Sequence, residues 1–129
     1  MAGAGAGEAP LIAVVDDDGS VVEAVTALLR SLGFAAKAYS SGQEFLESPH
    51  RRRTAFLIAD FNMPGMSGLD LHRHLAASSP PIPTVLITAY PDDRIRARAL
   101  GAGIVSYLHK PFDEEELLAC IRACLAPAG

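Results

Sequence analysis

Leu11-Ile12-Ala13-Val14-Val15-Asp16-Asp17-Asp18 decides how the rest of this chain is read. Five consecutive apolar residues are too few for a helix and show no alternation, which is the pattern of a strand buried on both faces of a parallel sheet. The run stops abruptly at three acids. Helix-like sequence follows, with Val21, Val22, Val25, Leu28, Leu29 and Leu32 on one stripe, Ser20 as the expected N-cap and Gly33 as the stop.

The same alternation continues to the end of the chain. Residues 35–39 read as a second, weaker strand, and Ser40, Ser41 and Gly42 lead into a short helix carrying Phe45 and Leu46. Residues 55–59 form the third apolar run, which again stops at an acid, Asp60. The segment 63–68, Met-Pro-Gly-Met-Ser-Gly, is a loop by its Pro and Gly content. Its following helix has Leu69, Leu71, His72 and Leu75 available for packing. His72 and His74 lack a partner motif and are expected at the surface or half-buried. A Pro/Ser-rich connection over 78–83 precedes a fourth strand at 84–88. Asp92 opens a helix with Ile95, Ala99 and Leu100 at helical spacing, and Gly101 and Gly103 end it. Residues 104–108 read as the fifth strand. Asp113, Glu114, Glu115 and Glu116 crowd the first turn of the last helix, where the positive dipole end favours acids, and Leu117, Leu118, Ile121 and Leu125 form its apolar side.

Five such units predict a doubly wound α/β domain: a five-stranded, mostly parallel sheet with helices on both faces. The domain is expected over residues 10–126, without internal linker or repeat, after an Ala/Gly-rich lead-in at 1–9 expected to be disordered. A chain of 129 residues suffices for one buried core. Half of it is apolar and a fifth charged, an ordinary balance for a soluble globular protein. No apolar stretch approaches the roughly 20 residues of a membrane span, and the first ten residues lack the regions of a signal peptide, so the expected compartment is the cytoplasm. The formal net charge of −4 argues against bulk nucleic-acid binding. His50-Arg51-Arg52-Arg53 is expected to be a solvated loop rather than a docking patch. Cys120 and Cys124, one helical turn apart, are expected to be small buried hydrophobes rather than a redox pair or a zinc site.

Chemistry enters at the strand ends. Asp16 and Asp17 follow the first apolar run, Asp60 the third, Thr88 closes the fourth and Lys110 follows the fifth. In an open sheet of this class the carboxyl ends of the strands face one crevice, where ligands bind. Taken singly, each residue has an ordinary reading as a strand end, an N-cap, a turn or a surface ion pair. Together they make one edge with three carboxylates, a hydroxyl and an ammonium. Three clustered carboxylates repel unless a cation sits among them, and oxygen-only ligands suit Mg²⁺. A nucleophilic carboxylate held beside cations and hydrogen-bond donors is what a phosphoryl acceptor needs.

The segments Asp16-Asp17, 60–68 (Asp-Phe-Asn-Met-Pro-Gly-Met-Ser-Gly), Thr88-Ala89 and Lys110-Pro111-Phe112, in this order and spacing, resemble the receiver domain of bacterial two-component response regulators. The similarity runs over about residues 11–125 and is nearest in flavour to the nitrogen-fixation type with a LuxR-like helix-turn-helix output. The resemblance implies a flavodoxin-like strand order 2-1-3-4-5 with five helices. It implies that Asp60 takes a phosphoryl group from a histidine kinase, that Asp17 binds Mg²⁺ directly and Asp16 through water, and that Asp60 and the main-chain carbonyl of Asn62 complete the site. Thr88 and Lys110 would bind phosphoryl oxygens, Tyr107 would be the aromatic switch, and Ala89 would leave room for the donor. Asn62 and Tyr90 fall where family members tune phosphoryl lifetime, and the Lys110–Pro111 bond is expected to be cis. Pro91 departs from the pattern and is expected to stiffen the segment after the fourth strand. Asp18 receives no metal role. Activation is expected to alter the face of helix 4 and strand 5. Homodimers would form there, with Arg94, Arg96, Arg98 and the acids after Pro111 supplying complementary charge, and control a transcriptional output.

Three rivals are weaker on the residues. An aspartyl-nucleophile phosphohydrolase of the haloacid dehalogenase type needs a second acid where Asn62 stands. A flavodoxin-like FMN site needs a phosphate-cradling loop where Asp16, Asp17 and Asp18 stand. A degenerate receiver, acting only as an interaction module, would not keep the acid pair, Asp60, Thr88 and Lys110.

Overall fold

The computed structural model describes residues 10–77 and 81–125. The lead-in at 1–9, part of the Pro/Ser-rich connection (78–80) and residue 126 lie outside the described residues. Within these bounds the order is β1 (Leu11–Val15), α1 (Gly19–Ser31), β2 (Ala35–Tyr39), α2 (Gly42–Leu46), a 3₁₀ turn (Arg51–Arg53), β3 (Thr54–Asp60), α3 (Gly68–Ala76), β4 (Thr84–Thr88), α4 (Asp93–Gly101), β5 (Ser106–His109) and α5 (Glu114–Leu125). Among the described residues the five strands form one sheet in the order β2-β1-β3-β4-β5, and every pairing is parallel. The expected doubly wound architecture and strand order are both present.

Alternate residues of the central strands feed two separate apolar layers. Ala13, Val15, Leu57, Ala59 and Leu86 pack with Phe45 of α2, Leu71 and Leu75 of α3 and Ala99 of α4. Ile12, Val14, Phe56, Ile58 and Val85 pack on the opposite face with Val22, Val25 and Leu29 of α1 and Leu117 and Ile121 of α5. This two-sided burial explains why β1 reads as a continuous apolar run. In these central strands a residue that points away from one helix layer meets the other. No helix among the described residues is long and apolar enough to cross a membrane.

Several local expectations are corrected by the structure. The N-cap of α1 is Asp18, where the backbone is extended and the carboxylate accepts from the Ser20 amide, so Ser20 lies inside the first turn. Leu32 and Leu100 leave their stripes and are 45% and 42% exposed, since both stand where their helices end. The fifth strand begins at Ser106 rather than at 104. Gly103, at φ +99°, takes the left-handed turn after α4, and only from Ser106 does the chain align with Val85. The third strand is longer than its apolar run and includes Thr54 and Asp60.

His72 is the largest departure. It is buried, with Nδ1 3.1 Å from Thr84 Oγ1 and Nε2 3.0 Å from the carbonyl oxygen of Ala102. These bonds tie α3 to the start of β4 and the C-cap of α4, satisfying a polar ring inside an apolar layer. His74 is exposed, as are Arg52 and Arg53, while Arg51 is half-buried. Cys120 and Cys124 are free thiols packed partly against the layer of α1 and α5.

Candidate functional site at the carboxyl edge of the sheet

Backbone hydrogen bonds carry the sheet one step past its strands and so place the candidate residues. The Asp16 amide donates to the Tyr39 carbonyl at 3.1 Å, Phe61 to Ile87 at 2.8 Å and Lys110 to Thr88 at 2.8 Å. The strand-end side chains are therefore held by the ladder rather than by free loops. Asp16, Asp17, Asp60, Asn62, Tyr90 and Lys110 line an open cavity of about 290 Å³ at this edge, with Ala89 and Asp18 on its wall.

One carboxylate oxygen each from Asp16, Asp17 and Asp60 lie within 4.8 Å of one another. Asp16 and Asp60 are buried, whereas Asp17 is exposed. Lys110 enters from the loop after β5, and its Nζ bridges Asp16 Oδ2 at 2.8 Å and Asp60 Oδ1 at 2.9 Å. The other oxygen of Asp16 accepts from the Asp18 amide at 3.0 Å, which folds the acidic turn back over β1. The Lys110–Pro111 peptide bond is cis.

Charge is unevenly compensated here. Burial pushes the Asp60 carboxyl above the usual carboxylate range and the charges of Asp16 and Asp17 push the same way, against the hydrogen bond and charge of Lys110. Burial works against the Lys110 ammonium, but its hydrogen bonds to Asp16 and Asp60 and their charges outweigh that and hold it above its ordinary value. One ammonium faces three carboxylates, so negative charge remains. The donors are hard oxygens, and Asp17 presents its carboxylate to solvent. That set fits a hard divalent cation that keeps some of its waters.

On the other side of Asp60, Thr88 ends β4 completely buried. Its hydroxyl donates to Asn62 Oδ1 at 2.7 Å and accepts from the Tyr90 amide at 3.0 Å. Tyr90 is 74% exposed. Tyr107 on β5 is turned inward, and its hydroxyl accepts from the amide of Asp92, the N-cap of α4, at 3.3 Å. Thr88 and Tyr107 thus sit between the acidic cluster and the start of α4.

Beneath the site, Gly68 begins α3 hard against Asp60. A Cβ there would lie 2.6 Å from the main-chain oxygen of Asp60 and 2.7 Å from Leu86 Cδ2. Ser67 caps this helix in a reciprocal box with Asp70. Two contacts were beyond sequence reasoning: the side-chain bond from Thr88 to Asn62 and the pressure of Gly68 on Asp60. Residues 62 and 88 are far apart in the chain, and no local pattern marks their meeting. The Gly68 contact had a faint signal, a second glycine at a helix start where a better helix former would otherwise serve.

Comparisons with known proteins agree with this fold. A sequence model of the response regulator receiver domain matches residues 12–122. The response regulator protein TodT of Pseudomonas putida is 42% identical over 117 residues, which cover 91% of this chain and 52% of TodT. The transcriptional regulatory protein FixJ of Bradyrhizobium diazoefficiens is 30% identical, over 91% of this chain and 57% of its own. The chain therefore spans about half the length of the curated relatives it matches. Among solved structures, the response regulator StyR superposes with a TM-score of 0.83 at 42% identity, over 92% of this chain and 60% of StyR. The crystal structure of FixJ-N superposes with a TM-score of 0.80 at 30% identity, over 95% of this chain and 98% of that one. A match over nearly all of the fold means that this chain belongs to the response regulator receiver domain family.

Proposed function

We propose that Asp60 is the phosphoacceptor of this receiver domain and that the carboxyl edge of the sheet is built around its phosphorylation. The observation that carries the reading is the cluster itself: three carboxylate oxygens within 4.8 Å, with Lys110 Nζ 2.9 Å from Asp60. A carboxylate oxygen of Asp60 attacks the phosphorus of a phosphohistidine on a sensor kinase or phosphotransfer protein. A P–O bond forms, the P–N bond breaks, and the imidazole leaves with its electron pair and takes up a proton. Asp16, Asp17, Asp60 and the main-chain carbonyl of Asn62 would hold Mg²⁺, which supplies charge neutralisation for the phosphoryl oxygens. Lys110, already at Asp60, stabilises the same charge from the other side. Thr88 supplies a hydroxyl to a phosphoryl oxygen, and Ala89 keeps the approach open.

The signal leaves through Thr88 and Tyr107 to α4, because the Tyr107 hydroxyl holds the amide at the N-cap of that helix. Asn62 and Tyr90 sit on the cavity wall and tune phosphoryl lifetime. The chain catalyses only its own phosphorylation and dephosphorylation and acts in the cytoplasm. Activated chains pair through α4 and β5, where Arg94, Arg96 and Arg98 are exposed, to drive a transcriptional output that this domain does not itself deliver to nucleic acid. Intact-mass analysis after acetyl phosphate plus Mg²⁺ tests the core of this reading. One phosphoryl group is expected on the wild type and none on Asp60→Asn, and equal labelling of the two would overturn the assignment.

A further inference from the structure

The Thr88 hydroxyl is already committed in this structure. It has one proton, which it gives to Asn62 Oδ1 at 2.7 Å, while the Tyr90 amide occupies its acceptor side at 3.0 Å. Donation to Asn62 and donation to a phosphoryl oxygen on Asp60 are therefore mutually exclusive. Asn62 lies two residues beyond Asp60, on the loop after β3, so the competing acceptor stands beside the group that Thr88 must reach.

We infer that the Asn62 side chain is a positioning residue: a latch that holds the Thr88 hydroxyl in the unphosphorylated arrangement and opposes activation. This rests on the reading of Asp60 and Thr88 given under Proposed function. The physical consequence is a population bias. The Asn62 amide oxygen stabilises the state in which Thr88 donates to it, and contributes nothing through that bond once Thr88 has turned to the phosphoryl group. The bond counts because Thr88 is fully buried, although Asn62 itself is exposed, and Asn62 Oδ1 is the acceptor that its hydroxyl proton meets among the described residues. Removing the acceptor therefore raises the free energy of the unphosphorylated state alone. The competent fraction rises, and a phosphoryl mimic binds more tightly by that factor. One neutral hydrogen bond of this kind corresponds to about a three- to tenfold change.

The latch differs from an effect of Asn62 on the approach of a water that hydrolyses the aspartyl phosphate, which would alter rates and leave the equilibrium untouched. The experiment is accordingly an equilibrium one. Beryllofluoride is titrated into the wild type, Asn62→Ala and Asn62→Leu at saturating Mg²⁺, followed by the amide resonances of Tyr90 and Asp92. Both variants keep the main-chain carbonyl of residue 62, and two side-chain shapes guard against a packing artefact. Half-saturation is expected about three- to tenfold lower in both variants. Their Tyr90 and Asp92 amides are expected, before any beryllofluoride is added, to lie displaced towards the bound wild-type positions. Wild-type half-saturation with undisplaced free-state amides in both variants would overturn the latch, while saturable wild-type binding lost in Asp60→Asn would leave the reading of Asp60 standing. A wild type that binds no beryllofluoride overturns both.

Discussion

Gly68→Ala probes how tightly the floor of the site is built. The added Cβ would stand 2.6 Å from the Asp60 main-chain oxygen and 2.7 Å from Leu86 Cδ2, where ordinary contact begins at 3.4 Å. Neither neighbour retreats easily. Asp60 ends the central strand and is paired with Ile87, and Leu86 is fully buried between layers. Relief requires a separation of about 0.8 Å, which moves either the end of β3 or the whole start of α3. Alanine is the better helix former by at most about 1 kcal/mol, whereas overpacking of a close-packed site costs about 1–3 kcal/mol. The clash wins, with a net loss of about 1–2 kcal/mol, or about 4–8 °C in Tm for a domain of this size. Because the displaced backbone carries Asp60, acetyl phosphate labelling below the unfolding transition is expected to slow about tenfold. Gly19 provides the matched control: it holds the same first helical position in α1, and a Cβ there meets nothing within 4 Å. Gly19→Ala is expected to stay within about 0.5 kcal/mol of the wild type. Thermal unfolding and labelling of the two variants side by side decide the matter. If Gly68→Ala matches Gly19→Ala in both stability and labelling rate, the close packing of α3 under Asp60 is refuted.

Further outcomes follow from the electrostatics and the buried histidine. The Asp60 carboxyl is held above its ordinary value of 3.8, so the unfolded chain releases this proton first as pH rises. The associated stability is present below that value and is lost as pH rises through the folded one. In urea without divalent cation, Asp60→Asn is expected to be more stable than the wild type at pH 7, with the gap closing near pH 3.8; a gap that widens on acidification contradicts the sign. Mg²⁺ at ten times its dissociation constant should add about 1.4 kcal/mol to the wild type and clearly less to Asp60→Asn. His72→Ala should cost about 2–4 kcal/mol in a urea titration, through a cavity and two lost hydrogen bonds. His74→Ala, on the exposed side of the same helix, should change stability by under about 0.5 kcal/mol.

The sheet was legible because its strands are sandwiched. Burial on both faces demands unbroken apolar runs, and the acids that end the apolar runs of β1 and β3 mark the carboxyl edge of the sheet. Asp16, Asp17, Asp60, Thr88 and Lys110 were legible for the same reason, since each lies at or just past a strand's carboxyl end and parallel strands all end on one edge. Boundaries were less so. Ser20 and Asp18 are both good caps, and only the backbone geometry at 18 separates them. His72 reads as a surface or half-buried residue because nothing near it in the chain can satisfy its ring; its partners, Thr84 and Ala102, arrive from β4 and the end of α4.

By itself the sequence determined the alternation of strand and helix, the class of sheet, and which residue types gather at its carboxyl edge. These follow from hydrophobic burial and chain direction, which local patterns record. Only the tertiary structure decided how that edge is wired. Lys110 bridges Asp16 and Asp60, Thr88 is held by Asn62, Tyr107 ties to the N-cap of α4, and Gly68 presses on Asp60. Apart from Gly68 on Asp60, each joins distant segments, and all are fixed by distances of a few ångströms that depend on register and packing.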